Sequence, residues 1–256
     1  TETPADAGPD AVRATHDDVA YLLRAANHHL PDASLAPGDV ISAWAGLRPL
    51  VAPRAGTAAN DASREHHIDA SASGLVTITG GKLTTYRSMA AEVVDAVERT
   101  LGRTRLVASL TADAPLPGSD DAPAALDAAA RAAGAPPDVA AHLVRAHGAR
   151  WRLPWGLATR EASLAERLDP TLPYLRAEVV WAAAAEGAWT VADVLVRRIP
   201  VAYERRDAGR ALAPDVAELL ARVHDWDDAS RQAAITQYAR DSERLFAVVP
   251  QGGSTT

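Results

Sequence analysis

One lysine stands in this chain against 25 arginines, and it lies in Gly80-Gly81-Lys82-Leu83-Thr84-Thr85-Tyr86-Arg87, directly after Leu75-Val76-Thr77-Ile78-Thr79. A compact ammonium with rotatable donors differs chemically from the rigid guanidinium fork used everywhere else. The pattern predicts a strand, a two-glycine turn and a helix opened by paired threonines. Such a turn gathers backbone N–H groups and the positive end of a helix dipole at one point, where an anionic group can sit. Glycines there also let a planar or phosphorylated ligand approach the backbone. A solvated loop lysine is the plain alternative, which the setting of strand, Gly-Gly and helix start disfavours. Arg48, in Gly46-Leu47-Arg48-Pro49, is a second candidate, either paired inside the protein or aimed at an anion. His66 and His67 are the nearest candidate bases, but neighbours on a strand point to opposite faces. His28 and His29 close an amphipathic segment and read as surface residues.

Several chemistries are excluded or unsupported. No cysteine is present, which removes disulfides, thiolate metal sites and cysteine nucleophiles. No spaced His/carboxylate cluster suggests a metal, and no G-x-S-x-G elbow suggests a hydrolase. A net charge of -7 speaks against a generic nucleic-acid binder. No apolar run reaches the roughly 18–20 residues of a membrane span.

These residues need elements to hold them. Residues 39–50 read as a buried strand ending at Gly46, and 52–62 as a loop. Arg64 opens a second strand, REHHIDAS, which turns at Gly74 into LVTIT, so that a hairpin feeds the glycine turn. The helix that follows carries Met89, Val93, Val94, Val97 and Leu101 on one face and stops at Gly102. Earlier, Thr15-His16-Asp17-Asp18 forms a capping box for a helix with Val19, Leu22, Leu23, Ala26 and Leu30 on one side, ending before Pro31. Residues 111–121 are proline- and acid-rich and read as a linker. Beyond them the chain reads as helix over 122–134, 137–148, 174–187, 190–199, 214–226 and 228–247. Thr190–Asp193 is another capping box, and Pro137 and Pro214 stand at helix starts. Trp151 and Trp155 read as packing residues. The fold class expected is therefore α+β in residues 1–110, a linker over 111–121, and an all-α domain over 122–250.

The stretches DVISAWAGLRPL, SREHHI, GLVTITGGKLTTYRSMA and LRAEVVWAAAAEGAWTVADVLVRRIPVA resemble, in order and spacing, the C-terminal half of the FAD-dependent glycerol-3-phosphate dehydrogenases. These belong to the D-amino-acid-oxidase-like flavoproteins. The resemblance implies that residues 1–110 are the remainder of a split FAD- and substrate-binding domain, and that the chain is a fragment or one piece of a cleaved protein. The dinucleotide-binding G-x-G-x-x-G turn, a catalytic histidine and another substrate arginine would lie in an upstream half, which becomes an implied partner. It further implies FAD as cofactor, glycerol 3-phosphate as substrate, quinone as electron acceptor, a bacterial source, a peripheral place at the cytoplasmic face of the plasma membrane, and a homodimer as one assembly. By the same resemblance Arg48 and Arg64 would hold the substrate's anionic group, and Lys82 would lie between flavin and substrate. Gly80, Gly81, Leu83 and Thr84 would line the flavin's pyrimidine edge through their backbone. Two other readings stay open: a non-catalytic helical interaction module, and a related FAD oxidase using oxygen or an amino-acid substrate.

Overall fold

A computed structural model describes residues 8–47 and 65–249. The expectations at Arg48, Arg64 and the loop 52–62 lie outside the described residues. By contact the chain forms two compact units, one of residues up to Gly46 and from Pro117 onward, the other of Leu47–Leu116.

In the first unit, a two-residue strand β1 (Ala14–Thr15) leads into α1 (His16–His29). The cap is the expected box: the Thr15 hydroxyl accepts from the Asp18 N–H at 3.1 Å, and the Thr15 N–H donates to the Asp18 carboxylate at 3.0 Å. The apolar face of α1 is only half covered, with Leu22 and Leu30 exposed.

Of the expected strand over 39–50, the described part, 39–47, does not form a strand. Residues 37–39 are a short 3-10 turn, and 40–47 have no regular structure. Val, Ile and Trp favour a pleated surface only where a neighbouring strand supplies ladder partners. Here the segment instead ties itself to the helices. The Ser42 hydroxyl donates to the Tyr203 carbonyl at 2.9 Å, Arg206 donates to the Val40 carbonyl at 2.9 Å, and Trp44 meets Tyr203 edge to face at 4.8 Å.

The second unit is small. Strands β2 (His66–Ala70) and β3 (Val76–Gly80) pair antiparallel around a turn at Gly74, in the register His66 to Gly80 and Ile68 to Ile78. A 3-10 turn over Leu83–Thr85 runs straight into α2 (Tyr86–Thr100), which packs on both strands. The hairpin, glycine turn and helix thus follow the sequence reading.

The rest of the first unit is helical: α3 (Pro123–Ala132), α4 (Pro137–His147), α5 (Arg152–Arg160), α6 (Arg176–Ala185), α7 (Val201–Glu204), α8 (Ala213–His224) and α9 (Asp228–Phe246). A two-residue strand β4 (Val248–Val249) then pairs parallel with β1. The core lies where α6 crosses α8 and α5, and where α8 meets α9. Ala177, Val179 and Ala182 of α6 and Val216, Ala217, Leu219 and Leu220 of α8 are fully or almost fully buried. Small side chains allow helices to approach closely, which is how an alanine-rich chain builds a dense core.

Two local findings depart from the sequence reading. A helix over 152–160, absent from the expected set, forms across Pro154, which sits in its first turn where the missing N–H costs little. The expected helix over 190–199 widens to a π-helix over Asp193–Arg198, with the Ile199 N–H donating to the Val194 carbonyl at 2.8 Å. Its cap is as expected: the Asp193 carboxylate accepts from the Thr190 N–H at 3.0 Å, and the Thr190 hydroxyl accepts from the Asp193 N–H at 3.0 Å.

Among the described residues two carboxylates are buried, Asp169, which pairs with Arg205, and Glu178. Glu178 of α6, 3% exposed, accepts from the Leu175 N–H at 2.8 Å and lies 2.6 Å from His142 Nε2 and 3.6 Å from His147 Nε2. Burial pushes its carboxyl up, but the histidine contacts and the backbone N–H outweigh this and hold it below the usual glutamate value. Among the described residues, no group of three or more His, Cys, Asp or Glu could hold a metal ion.

Candidate functional site

The glycine turn is built from the hairpin upward. Strand β3 ends at Gly80, which lies opposite His66. Gly80 and Gly81 take φ of +73° and +82°, left-handed values that an L side chain rarely adopts, so the reversal after the strand requires glycine. Lys82 returns to extended backbone at φ -128° and opens the helical turn, exposed on the surface.

The helix start is uncapped by side chains. The first N–H of the turn with an internal acceptor is that of Thr85, which donates to the Lys82 carbonyl at 3.0 Å. Leu83 and Thr84 precede it, and their N–H groups have no acceptor within the turn. The Thr85 hydroxyl points backward, donating to the Lys82 carbonyl at 3.0 Å, and does not cap. Among the described residues, the Lys82 ammonium meets no carboxylate. Leu83 is 89% exposed. Among the described residues, the Leu83 and Thr84 N–H groups meet no acceptor, and they stand beside the exposed Lys82 at a helix start, the groups that a site for an anion or a carbonyl oxygen would require.

The absent Cβ at Gly81 has a different reason from the one the sequence suggested. A Cβ there would stand 2.5 Å from Met89 Cε and 3.2 Å from His66 Cβ, so the space belongs to the protein itself and not to an approaching ligand.

The two histidines face opposite ways, as strand geometry demands. His66 Nε2 contacts the Glu92 carboxylate of α2 at 2.8 Å, whereas His67, largely exposed, lies 3.1 Å from Asp69. His28 and His29 are exposed at the end of α1. Of the predicted site residues, the structure brings Gly80, Gly81, Lys82, Leu83 and Thr84 into one turn. The sequence reading singled out neither Met89 nor Glu92 for the site. Met89 was visible only as a face residue of the helix, and nothing marks Glu92 before the fold sets it against His66.

Comparison with known proteins defines the class. Residues 109–231 match the family described as the C-terminal domain of alpha-glycerophosphate oxidase. Along its length the chain is similar to the C-terminal part of FAD-dependent glycerol-3-phosphate dehydrogenases. It is 32% identical to the mitochondrial glycerol-3-phosphate dehydrogenase of Macaca fascicularis over 91% of this chain and 32% of that protein. It is 34% identical to glycerol-3-phosphate dehydrogenase 2 of Mycobacterium tuberculosis over 88% of this chain and 38% of that protein. The crystal structure of the Bacillus halodurans glycerol-3-phosphate dehydrogenase complexed with FAD aligns with a TM-score of 0.76 at 26% identity, over all of this chain and 50% of that one. The chain thus spans about a third of the length of these curated relatives.

Proposed function

We propose that this chain is the C-terminal portion of an FAD-dependent glycerol-3-phosphate dehydrogenase, oxidising sn-glycerol 3-phosphate to dihydroxyacetone phosphate. The observation that carries the reading is the grouping of Lys82, the Leu83 and Thr84 N–H donors and the helix N-terminus, in a chain similar throughout to such enzymes.

The residues fit the cofactor. FAD, when bound, supplies the acceptor for the hydride that leaves C2 of the alcohol. The Leu83 and Thr84 N–H groups and the backbone of Gly80 and Gly81 would hold its pyrimidine edge. Preorganised donors and an ammonium placed where negative charge gathers stabilise that charge without reorganising. Lys82 serves in this way between cofactor and substrate. Arg48 and Arg64 would orient the phosphate by charge-assisted hydrogen bonds. Among the described residues, the two histidines nearest the turn each sit against a carboxylate, His66 against Glu92 and His67 against Asp69. The proton of the C2 hydroxyl would leave to a group of the upstream half. In the complete protein, residues 1–110 belong functionally with that half, and 122–250 form the helical domain joined through 111–121. Electrons pass on to quinone, the protein sits peripherally at the cytoplasmic face of the membrane, and it can assemble as a homodimer.

The test is anaerobic titration of the purified complete protein with glycerol 3-phosphate. The flavin absorption band bleaches on substrate addition, and Lys82→Ala or Arg48→Ala lowers kcat/KM by at least about a hundredfold, in the range of losing one electrostatic stabiliser. Complete protein that holds no flavin, or variants with unchanged kcat/KM, would overturn the proposal.

A further inference from the structure

We propose that Met89 is a positioning residue for the Lys82 turn, a role that rests on the flavoenzyme reading above. Met89 is the chain's one methionine. It lies on the first full turn of α2, and its thioether fills the space that a side chain on Gly81 would take, with Sδ 2.6 Å and Cε 2.5 Å from the position of a Cβ. The Thr85 hydroxyl lies 3.0 Å from the Lys82 carbonyl and 3.4 Å from Met89 Sδ, so one O–H group spans the backbone of the lysine and the sulfur beneath it. One turn further along α2, Glu92 holds His66, whose Cβ walls the other side of Gly81. The turn is thus seated on α2 at Met89 and on β2 at His66.

A thioether suits this seat. Unbranched and polarisable, it lies flat under a backbone that carries no Cβ and offers the hydroxyl a weak acceptor. Without it, Gly81 would have neither side chain nor floor, and two consecutive residues at positive φ have wide conformational freedom. Lys82 and the open Leu83 and Thr84 donors follow directly. A small displacement of preorganised donors costs much of their effect on developing charge. Met89 acts through the turn and touches neither cofactor nor substrate.

The experiment uses the complete FAD-loaded protein and reads the flavin midpoint potential. Met89→Ala is expected to lower the equilibrium constant for flavin reduction about tenfold, about 30 mV for a two-electron couple. Met89→Leu, which keeps the volume, should return it to within about threefold. Thr85→Val, which removes only the bridging hydroxyl, should shift it in the same direction as Met89→Ala and serves as the probe if that variant does not fold. Gly81→Ala should lower kcat/KM less in a Met89→Ala background than alone, because the colliding thioether is gone. An unchanged potential in Met89→Ala, or in Thr85→Val where that variant is the probe, overturns the inference, as does a Gly81→Ala effect independent of Met89. Complete wild-type protein without flavin instead overturns the functional reading itself.

Discussion

Glu178 shows what a single residue can carry in the helical core. Its carboxylate is satisfied by a backbone N–H and by two histidines, in a place where an unpaired charge would be intolerable. Removing one partner of a buried ionic group typically costs about 3–5 kcal/mol, since the other partner stays behind without compensation. Glu178→Ala should therefore destabilise the protein by that order in urea unfolding, while Glu178→Gln, which keeps acceptor and shape, should cost clearly less. The sign with pH follows from its depressed carboxyl. Its stabilising share is fully present above the ordinary glutamate value of 4.5 and is lost as pH falls through the lower folded value. Unfolding midpoints measured from pH 6 to pH 3 should drop less steeply below pH 4.5 in Glu178→Gln than in the wild type. Nothing in the sequence marked this pairing, because His142 and Glu178 are 36 residues apart and meet only when α4 packs near α6. Lys82 was legible for the opposite reason: its rarity and its glycines are local.

At the scale of elements, the caps were the most readable feature. Thr15 with Asp18 and Thr190 with Asp193 both form the reciprocal bonds their spacing implies, because an N-cap is decided within four residues. Thr190→Ala should cost about 1 kcal/mol, read as a lower unfolding midpoint without a change in m-value. Strands were less readable. Residues 66–70 and 76–80 carry their own partner through a short turn and pair as expected. Residues 39–47 had the composition of a strand and no partner among the described residues, so their polar groups found helices instead. The helix over 152–160 was not among the expected set, although proline in a first turn is well tolerated.

At the scale of the whole molecule, contact groups the chain differently from its order in sequence. Residues up to Gly46 join the helices from Pro117 onward, while the hairpin and α2 form their own unit. The start of the helical part is fixed by a close crossing. Gly118 passes over the end of α4 so tightly that a Cβ on Gly148 would fall 2.1 Å from its carbonyl oxygen, and that oxygen accepts from the Ala149 N–H at 2.8 Å. Gly148 also holds φ at +56°. Gly148→Ala should destabilise the helical unit by about 2–3 kcal/mol in chemical unfolding, because neither the strain nor the backbone contact can relax cheaply.

What the sequence alone determined was therefore local. The caps, the hairpin, the glycine turn with Lys82 at its tip, and the helical character beyond residue 121 all depend on interactions within a few residues. The family resemblance was legible in the order of such local motifs. Tertiary structure alone decided that Met89 fills the space beside Gly81, that Glu178 is shared by two histidines, and that residues 40–44 bind to helices instead of forming a strand. Each of these depends on which distant surfaces come within a few ångströms, and hydrogen bonding and close packing are settled only at that range.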